Sequence, residues 1–96
     1  MNIIHQKDGQ IVTLLLDGKL TNDSVEPFEQ MISEASNDVE QLILDCKNLT
    51  FISSAGFRII IAAHHRFAGR MILKHLSSNV YHAFDMTGLT SVLKIQ

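Results

Sequence analysis

The sequence contains one cysteine, one proline and no tryptophan among its 96 residues. A single thiol cannot form an internal disulfide or a zinc site built from several cysteines, so Cys46 is consistent with a reducing compartment. The longest unbroken apolar run, Ile59 to Ala63, is far shorter than the roughly 18 residues that indicate a membrane span. The first residues also lack the apolar stretch of a signal peptide. We therefore expect a soluble cytoplasmic protein without membrane insertion.

Charge of one sign is not in large excess either. Eight Lys and Arg are scattered among ten Asp and Glu, and the formal net charge is -2. Because nucleic-acid-binding domains carry a clustered basic surface, nucleic acid is not an expected partner. No linker rich in Gly, Ser or Pro divides the chain, of which 46% is hydrophobic. These features predict a single domain over residues 1–96 with a small packed core.

Hydrophobic patterns predict strands that alternate with helices. The expected strands are 2–6, 11–17, 41–46, 70–76 and 91–96. The pair Asp8–Gly9 favours an antiparallel hairpin between the first two strands. We expect the chain to turn at Gly18, the 41–46 strand to lie mid-sheet, and residues 47–52 to form a loop. The order predicts an α/β sandwich, with a mixed sheet of about five strands and three to four helices packed on one face.

Serines stand before each predicted helix and can accept hydrogen bonds from its first amides. Ser24 is expected to cap the first helix, with Pro27 in the first turn, where a missing amide hydrogen breaks no internal bond. Ser53 or Ser54 would cap the second helix, which Gly69 ends, and Ser77 or Ser78 the third. The expected apolar faces are Val25, Phe28, Ile32 and Ala35; Phe57, Ile60, Ile61, His64 and Ala68; and Val80, Tyr81 and Phe84.

Residues 51–60, Phe-Ile-Ser-Ser-Ala-Gly-Phe-Arg-Ile-Ile, place hydroxyl groups at the first turn of the second helix. Unpaired amides and the helix dipole favour an anionic group there, so the fold would accommodate an added phosphate. A phosphate would also add about 1.5 to 2 negative charges, enough to disrupt a packed protein interface. Spacing alone leaves two interpretations open, a structural cap and a phosphorylation switch.

This segment resembles the central signature of the STAS family, the sulphate-transporter and anti-sigma-factor-antagonist domains. Residues 15–20, Leu-Leu-Asp-Gly-Lys-Leu, are similar to the family's strand-to-helix junction. Residues 83–89, Ala-Phe-Asp-Met-Thr-Gly-Leu, are similar to its C-terminal Phe-Asp-x-x-Gly-Leu segment. The three segments span nearly the whole chain in the family order. The resemblance implies a STAS-type sandwich and, for a stand-alone bacterial member, a non-enzymatic anti-sigma-factor antagonist.

Such antagonists act in bacterial partner switching, by binding an anti-sigma factor that is also a serine kinase of GHKL type. Phosphorylation of one serine ends the binding, and a PP2C-type phosphatase restores it. In the family pattern that serine follows an aspartate and precedes the glycine by two residues, which implies Ser54 as the phosphorylation site. Ser53, at the aspartate position, is the second choice, and Thr21 stands where an acidic residue is common. The partner-binding residues implied by the resemblance are Thr21, Asn22, Ser53, Ser54, Ala55, Gly56, Phe57 and Arg58.

The sequence contains no pattern typical of an enzyme active site, a metal site or a phosphate-binding loop. The five histidines lack metal-ligand spacing, no G-x-S-x-G elbow surrounds a serine, and no glycine fingerprint for phosphates is present. We therefore expect no metal, no cofactor and no catalytic residue, and any ATP would belong to the partner. His64 is expected as a hydrogen-bonded packing residue and Cys46 as a small buried hydrophobe. Arg58 could meet a phosphate, meet a partner carboxylate, or remain solvated.

Two other functions remain open at this point. One is a constitutive STAS adaptor or transport-accessory subunit that is not phosphorylated. This option is favoured because Ser53 and Thr21 stand at two positions where the family commonly has an acidic residue. The other is a sensor of a small ligand or nucleotide. The chain is expected to be a monomer or a weak dimer.

Overall fold

The computed structural model describes residues 1–35 and 39–96. Within these ranges the chain forms five strands and three α-helices. In chain order these are β1 (Asn2–Asp8), β2 (Ile11–Leu20), α1 (Asn22–Ala35), β3 (Gln41–Ile52), α2 (Ser54–Phe67), β4 (Met71–Lys74), α3 (Ser78–Met86) and β5 (Lys94–Ile95). A short 3-10 turn, Leu89–Ser91, precedes β5. No helix among the described residues has the length and apolar character needed to cross a bilayer.

The strands form one mixed sheet in the order β1-β2-β3-β4-β5. β1 and β2 pair antiparallel, whereas the β2–β3, β3–β4 and β4–β5 pairs are parallel. Alternate strand residues such as Leu14 and Leu44 are fully buried, and they share one hydrophobic cluster with Phe28, Ile60 and Phe84 of the three helices. The predicted hairpin, the central place of β3 and the α/β sandwich are therefore confirmed.

The predicted loop at 47–52 is wrong, because β3 continues to Ile52. Leu49 and Ile52 are buried, and this half of the strand pairs with the end of β2. The prediction that the chain turns at Gly18 is also wrong, since β2 runs through this residue at a φ of 114°. Register shifts beside Gly18 and after Leu15 interrupt the pairing. These irregularities break the period-2 alternation, which is why the pattern did not predict two long strands.

The first helix begins two residues before its predicted cap. The Oγ of Ser24 accepts a hydrogen bond from the Thr21 amide at 2.9 Å, so Ser24 closes the first turn from inside the helix. This reaching back of a third-position side chain is half of a capping box. Pro27 consequently lies inside α1 rather than in its first turn, where its missing amide hydrogen removes one internal bond.

The buried face of α2 is rotated relative to the prediction. Ile60, Ala63 and Phe67 are buried, whereas His64 is only half-buried and Ala68 is exposed. α2 is apolar around much of its circumference, so periodicity alone could not locate the side that packs. In α3, Tyr81 is 45% exposed, contrary to its expected place on the apolar face.

His64 differs from its expected role in one further respect. Its Nδ1 atom is buried and has no hydrogen-bond partner within residues 1–35 and 39–96. The hydrogen bond expected for His64 is therefore not made at Nδ1, which leaves this polar atom buried at a cost in free energy.

Candidate functional site

The start of α2 is fixed by one serine side chain and one backbone hydrogen bond to the end of β2. Ser53 has the extended conformation of an N-cap, and its Oγ accepts a hydrogen bond from the Gly56 amide at 3.3 Å. The Ser53 amide donates to the Leu20 carbonyl at 2.9 Å. Since Leu20 ends β2, this bond holds the start of α2 beside the start of α1. Thr21 and Asn22 follow directly, so the two predicted groups of partner-binding residues share one end of the sheet.

Gly56 occupies a position where no side chain fits. A Cβ atom there would lie 2.8 Å from Leu20 Cγ and 2.9 Å from Ile52 Cγ1. Leu20 is fully buried, so it has no open space to move into. Ala55 is also buried, at 8% exposure. Because both residues are small, α2 approaches the strand ends closely. Ala55 and Gly56 therefore lie beneath the surface and do not present their side chains to a partner.

Two residues close to this pair are accessible. Ser54, the first residue of α2, is exposed, and so is Arg58 one helical turn later. Both line a shallow groove of about 240 Å³. The other lining residues are Phe57, Ile61, Thr87 and Leu89. No ion pair involves Arg58 among the residues that the structure describes.

An aromatic contact joins α2 to α3 below this groove. The Phe57 and Phe84 rings meet edge to face, with centroids 4.9 Å apart and an interplanar angle of 83°. Phe84 is fully buried, whereas Phe57 is half-buried and lines the groove. The contact anchors the apolar floor of the groove to the core.

Thr87 and Leu89 are groove residues that the sequence prediction missed. They lie in the segment after α3, where Gly88 adopts the left-handed conformation with a φ of 78°. The Thr87 hydroxyl donates to the Phe84 carbonyl at 2.7 Å, which fixes the turn. The similarity of residues 83–89 to a family segment was the available signal, but nothing in it indicated which side chains would reach α2.

Two ionisable groups in β3 have perturbed pKa values. Burial, together with the nearby Asp45 charge, raises the pKa of the Cys46 thiol to about 12. Cys46 is fully buried, which confirms that it packs as a small hydrophobe. Partial burial acts to raise the pKa of Asp45, but hydrogen bonds with His75 and the Lys47 amide, and the positive charges of both residues, lower it below 3.8. The Asp45 Oδ1 atom lies 3.0 Å from His75 Nδ1.

A mixed five-stranded sheet with its helices on one face, and an exposed hydroxyl where the central helix begins, define a STAS-type module. The chain belongs to the STAS domain family, whose model matches residues 2–96. The resemblance noted from three sequence segments is thereby confirmed.

Several relatives in this family are named as antagonists of anti-sigma factors. The chain is 24% identical to BtrV of Bordetella bronchiseptica over 92% of this chain and 78% of that protein. BtrV is named as a proposed anti-sigma factor antagonist. Its fold is similar to that of the anti-sigma factor antagonist SpoIIAA in its unphosphorylated form, with a TM-score of 0.85 and 25% identity over 99% of this chain and 88% of that one.

The fold is also similar to that of the Bacillus cell fate determinant SpoIIAA in its phosphorylated form. The TM-score is 0.77 and the identity 24%, over 99% of this chain and 91% of that one. The chain is therefore a STAS domain with an anti-sigma-factor-antagonist-like fold.

Proposed function

We propose that this chain is a non-enzymatic regulatory protein that binds a protein partner through the surface around the start of α2. By family resemblance the partner is an anti-sigma factor with serine kinase activity of GHKL type. The observation that carries the proposal is the exposed Ser54 hydroxyl beside an apolar groove. A PP2C-type phosphatase would reverse the modification. Such a chain works in bacterial partner switching, and ATP would bind to the kinase.

Phosphorylation of Ser54 would abolish partner binding without unfolding the domain. At the first position of α2 the phosphate would meet unpaired amides and the positive end of the helix dipole, so the fold would tolerate it. At the same time about 1.5 to 2 negative charges would lie beside Phe57 and the groove. An apolar partner surface would have to desolvate these charges, so we expect binding to be lost while the domain stays folded.

Ser54 is a better acceptor than Ser53 on structural grounds. Ser54 is exposed, whereas Ser53 is half-buried and its Oγ already accepts the Gly56 amide. A kinase must enclose the acceptor hydroxyl, so accessibility favours Ser54. Arg58, exposed on the same groove, would supply a positive charge for a carboxylate of the unmodified complex.

The chain offers a matched control for this test. Ser78 is the first residue of α3 and is exposed, and Ser77 before it caps the helix by accepting the Val80 amide at 3.3 Å. Ser54→Asp and Ser78→Asp therefore add one negative charge at the same helix position behind the same kind of cap. Only the first charge lies on the groove.

The test combines binding with phosphorylation. The protein is incubated with ATP and its cognate GHKL-type kinase, and the product is mapped by mass spectrometry. We expect one phosphate at Ser54, loss of partner binding for Ser54→Asp, and full binding for Ser78→Asp. Absence of phosphate together with full binding by Ser54→Asp would refute the switch.

That refuting result defines the second candidate function, a constitutive STAS adaptor or transport-accessory subunit. Ser53 and Thr21 favour it, since the family commonly has acidic residues at these two positions. Such an adaptor would use the same surface without a kinase, so Ser54→Ala and wild-type protein would recover the same partner in equal amounts.

A further inference from the structure

The sheet has a second face that the helices do not use. Along each strand, side chains alternate between the two faces, and the residues next to the buried ones are half-exposed or exposed. We call this side the open face. Its apolar members are Ile4, Ile11, Leu15, Ile43 and Ile72. Ile4 is 52% exposed and Ile11 39%.

Strand register places these residues in two short rows. Ile4 pairs with Leu15 across β1 and β2. Thr13 pairs with Ile43, which in turn pairs with Ile72 across β3 and β4. Leu15 itself pairs with Asp45, so the two rows adjoin only diagonally, between Leu15 and Ile43, and form an apolar patch from β1 to β4. Contiguous exposed apolar patches often mark interaction sites.

The charges that flank the apolar patch on its two sides differ in sign, and Asp45 between them is engaged by His75. Asp8 pairs with Ile11, and Asp17 lies two residues beyond Leu15, so both acids are on the β1–β2 side. Lys74 lies on β4 and pairs with Asp45 of β3. Lys94 lies on β5 and pairs with Ile72 of β4. None of these two acids and two lysines takes part in an ion pair within the described part of the chain.

We propose that the open face binds a second copy of this chain, with the two sheets packed face to face about a twofold axis parallel to β3. This axis places β1 and β2 of one copy over β4 and β5 of the other. Acidic and basic sides then meet twice, as a twofold interface requires. An axis perpendicular to the strands would place acid over acid and is disfavoured.

The register allows the charged side chains to meet. Lys74 is level with Leu15, and therefore two residues, or about 7 Å, along the strand from Asp17. Lys94 is level with Thr13, two residues from the level of Ile11 and Asp8. A lysine side chain spans this distance.

Asp45 lies near the proposed axis and would face its own counterpart. Its side chain is only 13% exposed, and its charge is already engaged by His75 at 3.0 Å. The like-charge contact is therefore weakened.

The size of the open face predicts a weak dimer. Strand spacing and rise give a face about 24 Å wide and about 18 Å long, or about 900 Å² over both copies. Stable complexes bury more, and transient ones are of this size. Because α2 packs on the opposite side of the sheet, the dimer would leave both Ser54 hydroxyls accessible.

Sedimentation velocity of the full chain, from about 10 µM to about 1 mM, tests this pairing. We expect concentration-dependent dimers of the wild type. Asp8→Lys/Asp17→Lys makes both sides basic, and Lys74→Asp/Lys94→Asp makes both acidic, so each variant alone should dimerise at least tenfold more weakly. An equimolar mixture of the two variants should recover wild-type association as a heterodimer.

Two further variants keep the test decisive. Glu29→Lys/Glu34→Lys changes the net charge as much as the Asp8/Asp17 pair does, but on exposed positions of α1, and should dimerise normally. Ile4→Lys, at an exposed apolar position, should weaken the dimer without unfolding the chain. A wild type that is monomeric throughout, or a dimer that both charge variants leave unchanged, overturns the proposal. Neither result bears on Ser54, since no kinase or partner is used.

Discussion

Substitution of Gly56 by alanine tests whether α2 begins in direct contact with the strand ends. The new Cβ would lie 2.8 Å from Leu20 Cγ, 2.9 Å from Leu20 Cδ2 and 2.9 Å from Ile52 Cγ1. Carbon atoms pack at about 3.5 to 4 Å, so all three contacts are repulsive. Leu20 is fully buried and Ile52 is 7% exposed, so neither can move aside into solvent.

The expected loss of stability follows from two opposing effects. Overpacking by one methyl group in a dense core costs about 1 to 3 kcal/mol. Alanine gains about 1 kcal/mol over glycine in a helix, which offsets part of this cost. These effects leave a net loss of about 0 to 2 kcal/mol. Because three contacts lie below 3 Å, we expect the upper half of this range, so Gly56→Ala should lower the free energy of unfolding by about 1 to 2 kcal/mol and the melting temperature by about 5 to 15 °C.

Urea and thermal denaturation followed by circular dichroism measure this change. Ser54→Ala, two residues earlier at an exposed position, is the control and should melt within a few degrees of the wild type. The Leu20→Ala background removes the Cγ and Cδ2 atoms that the new methyl group would meet, so Gly56→Ala should be less harmful there. If Gly56→Ala matched or exceeded wild-type stability in both backgrounds, the close approach of α2 to β2 would be refuted.

Four other outcomes are expected. Ser53→Ala removes the α2 cap and should destabilise the domain by about 1 kcal/mol in urea denaturation. Ala68→Gly should stabilise it by up to about 1 kcal/mol, since Ala68 has a φ of 49°, a left-handed conformation that glycine adopts without strain. Cys46 should not react with a thiol reagent at neutral pH until the protein is unfolded, because the thiol is buried and its pKa is raised to about 12. His75→Ala should raise the pKa of Asp45 in a carboxyl NMR titration; since the folded pKa is lowered from 3.8, the stability that Asp45 contributes is present above that value and is lost as pH falls through the folded pKa.

The two proposed surfaces lie on opposite sides of one sheet. The groove beside Ser54 is built by α2 and the segment after α3, whereas the open face consists of strand residues alone. A dimer through the open face would carry two outward-facing α2 starts. Binding of a dimeric partner would then gain from the linkage of two sites without any new contact at either site.

Local sequence chemistry determined much of this architecture. The Asp8–Gly9 pair defined the hairpin, and the serines at 53 and 77 marked the starts of α2 and α3, because turns and caps depend on residues that are neighbours in the chain. The family signature also directed attention to Ser54, which the structure places in an exposed position.

Tertiary structure alone decided the features that depend on distant residues. Residues 47–52 extend β3 because β2 lies alongside to pair with them, and no local pattern contains that information. The buried side of α2 was set by what packs against it, since its sequence is apolar on several sides. Thr87 and Leu89 join the groove only because the turn after α3 returns to α2. In each case the decisive contact joins residues far apart in sequence, so it exists only once the chain has folded.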